Sequence, residues 1–131
     1  MNTFKKWNNK TMEDDGAYMS KEAKSFYTAF KNYLKRSFPN AELTGFKPNH
    51  YDTSGFISQN DKIIYVSHSL FRNINRYCNA DFNASDASRG VLYRTATSTH
   101  DFTGGHNNFC SINNMVDSIN NLFENYERYS V

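Results

Sequence analysis

The chain has 131 residues and a formal net charge of +2. This length predicts a single domain that buries roughly two-thirds of the surface of its unfolded chain. A net charge this small excludes nucleic-acid binding through overall charge, so any such binding would need a local basic surface. Aromatic residues make up 16% of the sequence, which predicts that relatively few side chains fill the core.

Cysteine usage and the N-terminal sequence predict where the protein resides. Cys78 and Cys110 form neither a CxxC pair nor a set of four metal ligands. The N-terminus lacks an apolar signal segment, and no stretch approaches the ~18 apolar residues of a membrane span. We therefore expect a cytoplasmic protein with two free thiols and no cofactor, bound metal or membrane partner. A disulfide between the two cysteines is the alternative.

The first residues divide into a tail and a helix. Residues 1–19 have little apolar periodicity and predict a flexible tail, whereas 20–131 predict one α+β domain. The alternative for the tail is an arm that contacts a partner through Trp7. Residues 20–38 predict the first helix, with Ser20 as its N-terminal cap and Pro39 just beyond its end.

This first helix also carries the only organised basic surface that the sequence predicts. Residues 1–40 hold eight Lys and Arg against four Asp and Glu, whereas the rest of the chain holds seven against nine. At ~100° per residue, four lysines fall on one stripe beside the apolar face. They are Lys21, Lys24, Lys31 and Lys35. Such a stripe is either a solvated surface or a contact for an acidic partner, protein or nucleic acid.

Four short segments with β-type composition follow, at 41–47, 51–58, 62–68 and 91–97. Residues 59–61 (Gln-Asn-Asp) are typical of a hairpin turn. Both faces of 62–68 are partly apolar, which favours a central strand. Residues 70–89 show no regular pattern, which indicates short helical turns, a functional loop or a mobile segment.

The last predicted element is a helix at 111–129, with Ser111 as its cap. The expected fold class is α+β, with a three- to four-stranded antiparallel sheet flanked by N- and C-terminal amphipathic helices in the order α-β-β-(β)-β-α. Both helices should cover one face of the sheet. The other face, with some of His68, Arg94 and Tyr51 on it, would be left open.

Candidate functional side chains are concentrated in residues 91–111, VLYRTATSTHDFTGGHNNFCS. A loop that opens into a helix N-terminus offers backbone N–H groups to an anion, and Gly104 and Gly105 would let the backbone approach it. Arg94, His100 and His106 would add donors beside Asp101. The alternative is that the glycine pair allows positive φ in a tight turn.

The four histidines provide a second candidate chemistry. Two histidines would suit hydrolysis of a phosphodiester, one as base and one as acid. The residues concerned are His50, His68, His100 and His106, with Asp52 and Asp101. Their spacing matches no metal motif, and scattered histidines are often ordinary surface residues. We therefore assign no catalytic and no metal-binding residue, and keep a small His-dependent nuclease as an alternative.

The order of elements resembles the double-stranded RNA-binding domain, which runs α-β-β-β-α. The second helix of that family opens with a lysine cluster that contacts phosphates. Here that helix opens with Ser-Ile-Asn-Asn at 111–114, without a basic residue nearby. This resemblance implies a nucleic-acid-binding module that would use the lysine stripe of the first helix.

Residues 46–57 (FKPNHYDTSGFI), 62–69 (KIIYVSHS) and 91–111 resemble a group of short uncharacterised proteins of phages, plasmids and integrative elements of low-GC Gram-positive bacteria. Small proteins of this genomic type are often antagonists of host defence, including anti-CRISPR proteins. The resemblance implies a binding protein that inhibits a bacterial defence protein or protein–RNA complex, such as a Cas effector. The expected partner-binding residues are Arg72, Arg76, Arg94, His100, Asp101, Gly104, Gly105 and His106.

Overall fold

A computed structural model describes residues 21–48, 53–68, 91–101 and 104–129. These residues form an α+β fold with one five-stranded antiparallel sheet and helices. The elements are α1 (Lys21–Ser37), β1 (Glu42–Pro48), β2 (Thr53–Gln59), β3 (Lys62–His68), β4 (Val91–Ala96), β5 (Asn108–Cys110), a 3₁₀ turn (Ile112–Asn114), α2 (Met115–Glu124) and α3 (Tyr126–Tyr129). The strands lie in the sheet in their sequence order.

The β2–β3 hairpin turns where the sequence predicts. Gln59 pairs with Lys62, and the two residues between them, Asn60 and Asp61, have φ angles of 52° and 66°. Positive φ at both central positions is the mark of a type I′ turn, which matches the twist of the flanking strands. Asn and Asp adopt this conformation more readily than other non-glycine residues, so the turn needs no glycine.

A bulge in β1 places an aromatic ring in the core. The register with β2 shifts between Gly45 and Lys47, and the extra residue, Phe46, has a φ of 65°. Its ring is 3% exposed and lies 6.3 Å from the ring of Phe30. A Cβ atom at Gly55 would come within 2.6 Å of this ring, so only glycine fits beneath it.

The hydrophobic core lies between the helices and one face of the sheet. Ile57, Ile64 and Val66 belong to this face by the strand register, and all three are fully buried. The helices bury the following side chains in the same core: Tyr27, Phe30 and Leu34 from α1, and Met115, Ile119, Leu122 and Phe123 from α2. Each such side chain stabilises the fold by about 1.5–3 kcal/mol through burial. Both helices therefore cover this face, which we call the helix-covered face, and the opposite one is the far face.

The structure differs from the prediction at the C-terminal end. The sheet has a fifth strand, β5, inside the segment expected to lead directly into the last helix. That helix consists of a 3₁₀ turn, α2 and α3, because Asn125 (φ −111°, ψ 25°) interrupts it. The predicted cap is confirmed, since the Ser111 side chain accepts a hydrogen bond from the N–H of Asn114 at 3.3 Å.

Several predicted segments lie outside the described residues, namely the tail at 1–19, Ser20, Tyr51 and the irregular segment at 70–89. Cys78 falls there too, and Cys110 is a buried, free thiol. Within the described ranges, no helix combines the length and the apolar character needed to span a membrane.

Candidate functional site

The loop between β4 and β5, residues 97–107, carries most of the predicted site residues and is held together by Asp101. One carboxylate oxygen of Asp101 accepts hydrogen bonds from the N–H and the hydroxyl of Thr97, at 2.9 and 3.0 Å. The other oxygen accepts from the N–H of Gly104 at 2.8 Å. The Asp101 N–H in turn donates to the carbonyl of Ser98. The carboxylate thus organises the described part of the loop.

The glycine pair lets this loop lie directly against β4. Gly105 has a φ of 76°, and a Cβ atom there would lie 2.5 Å from the carbonyl oxygen of Thr95. A Cβ atom at Gly104 would lie 2.4 Å from the Asp101 carboxylate. This geometry favours the tight-turn interpretation of the pair. Residues 108–110 form β5, so a short strand separates the glycine pair from the helical turn that Ser111 caps.

Arg94 lies on the far face, as expected, but beneath the loop instead of at its surface. The residue is only 8% exposed. Its guanidinium carbon lies 4.4 Å from the centre of the Tyr65 ring, a distance at which the cation and the ring attract each other. Its Nη1 atom donates to the Asn107 side chain at 3.0 Å. Phe56, also on this face, is 2% exposed, so the far face is not open at these positions.

Of the set expected to contribute to the open face, His68 is on the helix-covered face and not on the far face. It is fully buried, with its ring 5.3 Å from that of Phe30 and 6.2 Å from that of Tyr27. Burial, opposed by a weaker backbone hydrogen bond, lowers the pKa of His68 to about 3. The imidazole is therefore neutral and packs as part of the core.

His68 lies apart from the two histidines of the β4–β5 loop. His68 pairs with Val91 at one end of the β3–β4 ladder, while His100 and His106 are exposed on the loop that follows the other end. Five residue steps of β3, from His68 to Ile63, separate these ends, roughly 17 Å at about 3.4 Å per residue. His50 and Asp52 lie outside the described residues. In the part of the chain that the structure describes, no group of three or more His, Cys, Asp and Glu side chains could hold a metal ion.

The exposed side chains of the loop are polar, and one exposed phenylalanine lies on the strand that follows. The exposed loop residues are Thr97, Ser98, His100, His106 and Asn107. Phe109 of β5 is 40% exposed and is the only exposed large hydrophobic side chain among the described residues. The sequence analysis did not single out Phe109, although its position between two polar or small residues is typical of one face of a short strand.

A cleft of about 670 Å³ adjoins the loop at the end of β3 and β4. It is lined by Asp61, Ile63, Thr95, Ala96, Thr97, Gly104, Gly105, His106, Tyr126 and Glu127. The cleft brings together three predicted site residues, Gly104, Gly105 and His106, with residues of the β2–β3 turn and of α3. Neither Asp61 nor Glu127 was predicted as a site residue, because nothing in the sequence indicates that these two segments meet.

The hydroxyl of Tyr126, which also lines the cleft, contacts the main chain of β3 and β4. It accepts a hydrogen bond from the N–H of Ile63 at 3.2 Å. It also lies within donating distance of two carbonyl oxygens, that of Ile63 at 3.0 Å and that of Ala96 at 2.9 Å. Ile63 and Ala96 face each other across β3 and β4. The side chain therefore attaches α3 to the last pair of this ladder.

The structure describes the side chains of only two of the four lysines in the predicted stripe. All four lysines fall within α1, but the side chains of Lys21 and Lys24 lie outside the described residues. Lys31 is half-buried and Lys35 is exposed. Arg72 and Arg76 also fall outside the described ranges.

Comparisons of the chain with protein-family models, with curated proteins and with solved structures found no match.

Proposed function

We propose that this protein acts by binding another protein through the β4–β5 loop and Phe109. The supporting observation is that the loop is fixed from within while its outward side chains remain exposed. The Asp101 carboxylate accepts hydrogen bonds from Thr97, the first residue of the loop, and from Gly104. A loop that is ordered before binding loses less conformational entropy when a partner docks, and this raises affinity.

Phe109 supplies the apolar contact that a polar loop lacks. It lies on β5, directly after the loop, and faces Leu92 across the β4–β5 pairing. A protein–protein contact commonly depends on one or two aromatic anchors that are surrounded by polar residues. Arg94 supports the same surface from below, since its hydrogen bond positions Asn107.

The partner that we propose is a bacterial defence effector, such as a Cas protein or its complex with RNA, in the host cytoplasm. The support for this identity is the resemblance to proteins of phages and other mobile elements, and residues 91–111 of that resemblance include the whole loop. By occupying a surface of the effector, the protein would block its action without carrying out a reaction.

The test is binding of the purified protein to RNA-loaded Cas effectors from low-GC Gram-positive bacteria, measured by biolayer interferometry. The variant His100→Ala/Phe109→Ser should lose binding by tenfold or more. Asn120→Ala, an exposed position on α2, is the matched control and should bind as the wild type. Melting temperatures of all three proteins establish that they fold alike.

An effector that is bound should also lose target cleavage in the presence of the wild-type protein. Equal binding by the loop variant and the wild type would refute the role of the loop. Failure to bind or inhibit any effector in the panel would refute the proposed partner class.

A nucleic-acid ligand is the second candidate, supported by the exposed Lys35 and Arg36 in the last turn of α1. Binding of this kind would weaken steeply with added salt, because each neutralised phosphate releases counterions. Electrophoretic mobility shifts of single- and double-stranded RNA at 50 and 200 mM salt test it, with Lys31→Ala/Lys35→Ala as the variant. Affinity that is unchanged by salt or by the variant would refute this candidate.

A further inference from the structure

We propose that Asn107 is a specificity-determining residue of the loop surface. Its amide N–H groups would donate to an acceptor oxygen of the partner protein, either a carboxylate or a main-chain carbonyl. This inference rests on the proposed protein-binding function, and it adds the polarity of the group that the partner places next to Phe109.

Arg94 sets the orientation of the Asn107 amide. Its Nη1 atom donates to Oδ1 of Asn107 at 3.0 Å. A guanidinium has donors only, so the atom of Asn107 that faces it is the amide oxygen and not the amide nitrogen. Asn107 is exposed, and among the described residues no acceptor contacts its Nδ2 atom. The side chain therefore offers a partner the two N–H donors of its amide.

Arg94 is itself held in place by a row of cross-strand neighbours on the far face. Phe56, Tyr65 and Arg94 pair across β2, β3 and β4. The ring of Tyr65 lies 5.3 Å from the ring of Phe56 and 4.4 Å from the guanidinium carbon of Arg94. Both Phe56 and Arg94 are buried. The donor that orients Asn107 therefore belongs to the packed part of the sheet.

The charge beneath Asn107 also favours an acceptor. The buried Arg94 cation is screened less than a cation in water, and its hydrogen bond polarises the amide, which strengthens the N–H groups as donors. Asp101, the only acid of the loop, has both carboxylate oxygens hydrogen-bonded to Thr97 and Gly104. A lysine or arginine of the partner placed against Asn107 would meet N–H donors and a like charge, and both would repel it.

Asn107 and Phe109 lie on the same side of the sheet. Phe109 faces Leu92, which alternates with Arg94 on the far face of β4, whereas Cys110 points into the core on the other side. Asn107 reaches the far face too, since its side chain contacts Arg94. At about 3.4 Å per residue, Asn107 and Phe109 are roughly 7 Å apart. One short segment of the partner can therefore cover the ring and bring an acceptor to the amide.

The test is the variant Asn107→Asp, which keeps an oxygen for Arg94 and replaces the N–H donors with a second oxygen. Its melting temperature should equal or exceed that of the wild type, because a carboxylate accepts more strongly from a guanidinium than an amide does. Binding to the effector, measured by biolayer interferometry, should weaken by about tenfold or more, because two acceptors then face each other.

Asn40→Asp is the matched control, since it makes the same change in charge. Asn40 is exposed in the turn before β1, which lies at the opposite edge of the sheet from β5. This variant should match the wild type in melting temperature and in binding.

Binding at 50 and 300 mM salt distinguishes the two sources of the acceptor. If the partner supplies a carboxylate, the loss caused by Asn107→Asp should shrink at the higher salt, because the repulsion between two anions is screened. A loss that is the same at both salt concentrations identifies a main-chain carbonyl.

An Asn107→Asp variant that binds the effector as tightly as the wild type, or more tightly, would overturn this inference and leave the proposed function standing. A melting temperature well below those of the wild type and Asn40→Asp would overturn the orientation of the amide, and the inference with it. A wild-type protein that binds no effector would refute the proposed function itself, together with the contact at Asn107.

Discussion

Acidification should destabilise this protein through one buried histidine. In the folded chain, burial lowers the pKa of His68 to about 3 from its usual 6.5. The unfolded chain therefore binds a proton at His68 below pH 6.5, while the folded chain does not until about pH 3. Stability is highest above pH 6.5, falls as the pH decreases from 6.5 towards 3, and loses nothing further below that.

The size of the effect follows from the two pKa values. At pH 5, a site with a pKa of 6.5 in the unfolded chain costs about 2 kcal/mol of stability if the folded chain cannot take up the proton. Urea unfolding at pH 7.5, 6 and 5, followed by circular dichroism, should show this decrease. With a typical dependence of 1–3 kcal/mol per molar urea, the midpoint should fall by about 1 M.

The variant His68→Leu isolates this contribution, because leucine has a similar volume and no proton to bind. Its stability at pH 7.5 can move either way, but the decrease between pH 7.5 and 5 should disappear. His100→Gln, at an exposed position, should keep the wild-type decrease. If His68→Leu loses as much stability on acidification as the wild type, the reasoning from burial is wrong.

Three further outcomes can be checked with the same unfolding assays. Tyr126→Phe should lower the free energy of unfolding by about 1–3 kcal/mol in urea titrations, because the main chain of Ile63 loses its hydroxyl partner. Gly105→Ala should destabilise by a similar amount, about 1–3 kcal/mol, since its φ of 76° and the contact with Thr95 both oppose a Cβ atom. Cys110 should react slowly with a thiol reagent at pH 8 in native protein and quickly in urea, because burial raises the pKa of its thiol to about 11.

The sequence predicted the elements whose periodicity is sustained over many residues. The apolar stripes of α1 and α2, and the Asn60–Asp61 turn, correspond to the structure because local propensity and tertiary packing agree there. β5 was missed because three residues are too short for an alternation pattern. The break at Asn125 was missed because the apolar pattern of the helix continues through it to Tyr126. The Tyr126 side chain, however, hydrogen-bonds to the main chain at the end of β3 and β4.

The candidate site was predictable only in outline, since its chemistry depends on contacts between distant segments. The sequence identified the stretch around Arg94 and Asp101 but assigned these side chains to the surface. In the structure Arg94 is buried, and Asp101 accepts hydrogen bonds within its own loop. Conversely, Asp61 and Glu127 are 66 positions apart in the sequence and line the same cleft, beside the point where Tyr126 attaches α3 to the end of the sheet.

The β4–β5 loop and the cleft are both supported by Asp101. Asp101 holds Thr97 and Gly104, and both of these residues line the cleft, while the same hydrogen bonds set the shape of the loop. A change at Asp101 would therefore disturb the loop and the cleft together and could not by itself test the proposed role of the loop. Phe109 does not line the cleft, so a substitution there changes the surface beside the loop and leaves the cleft lining intact.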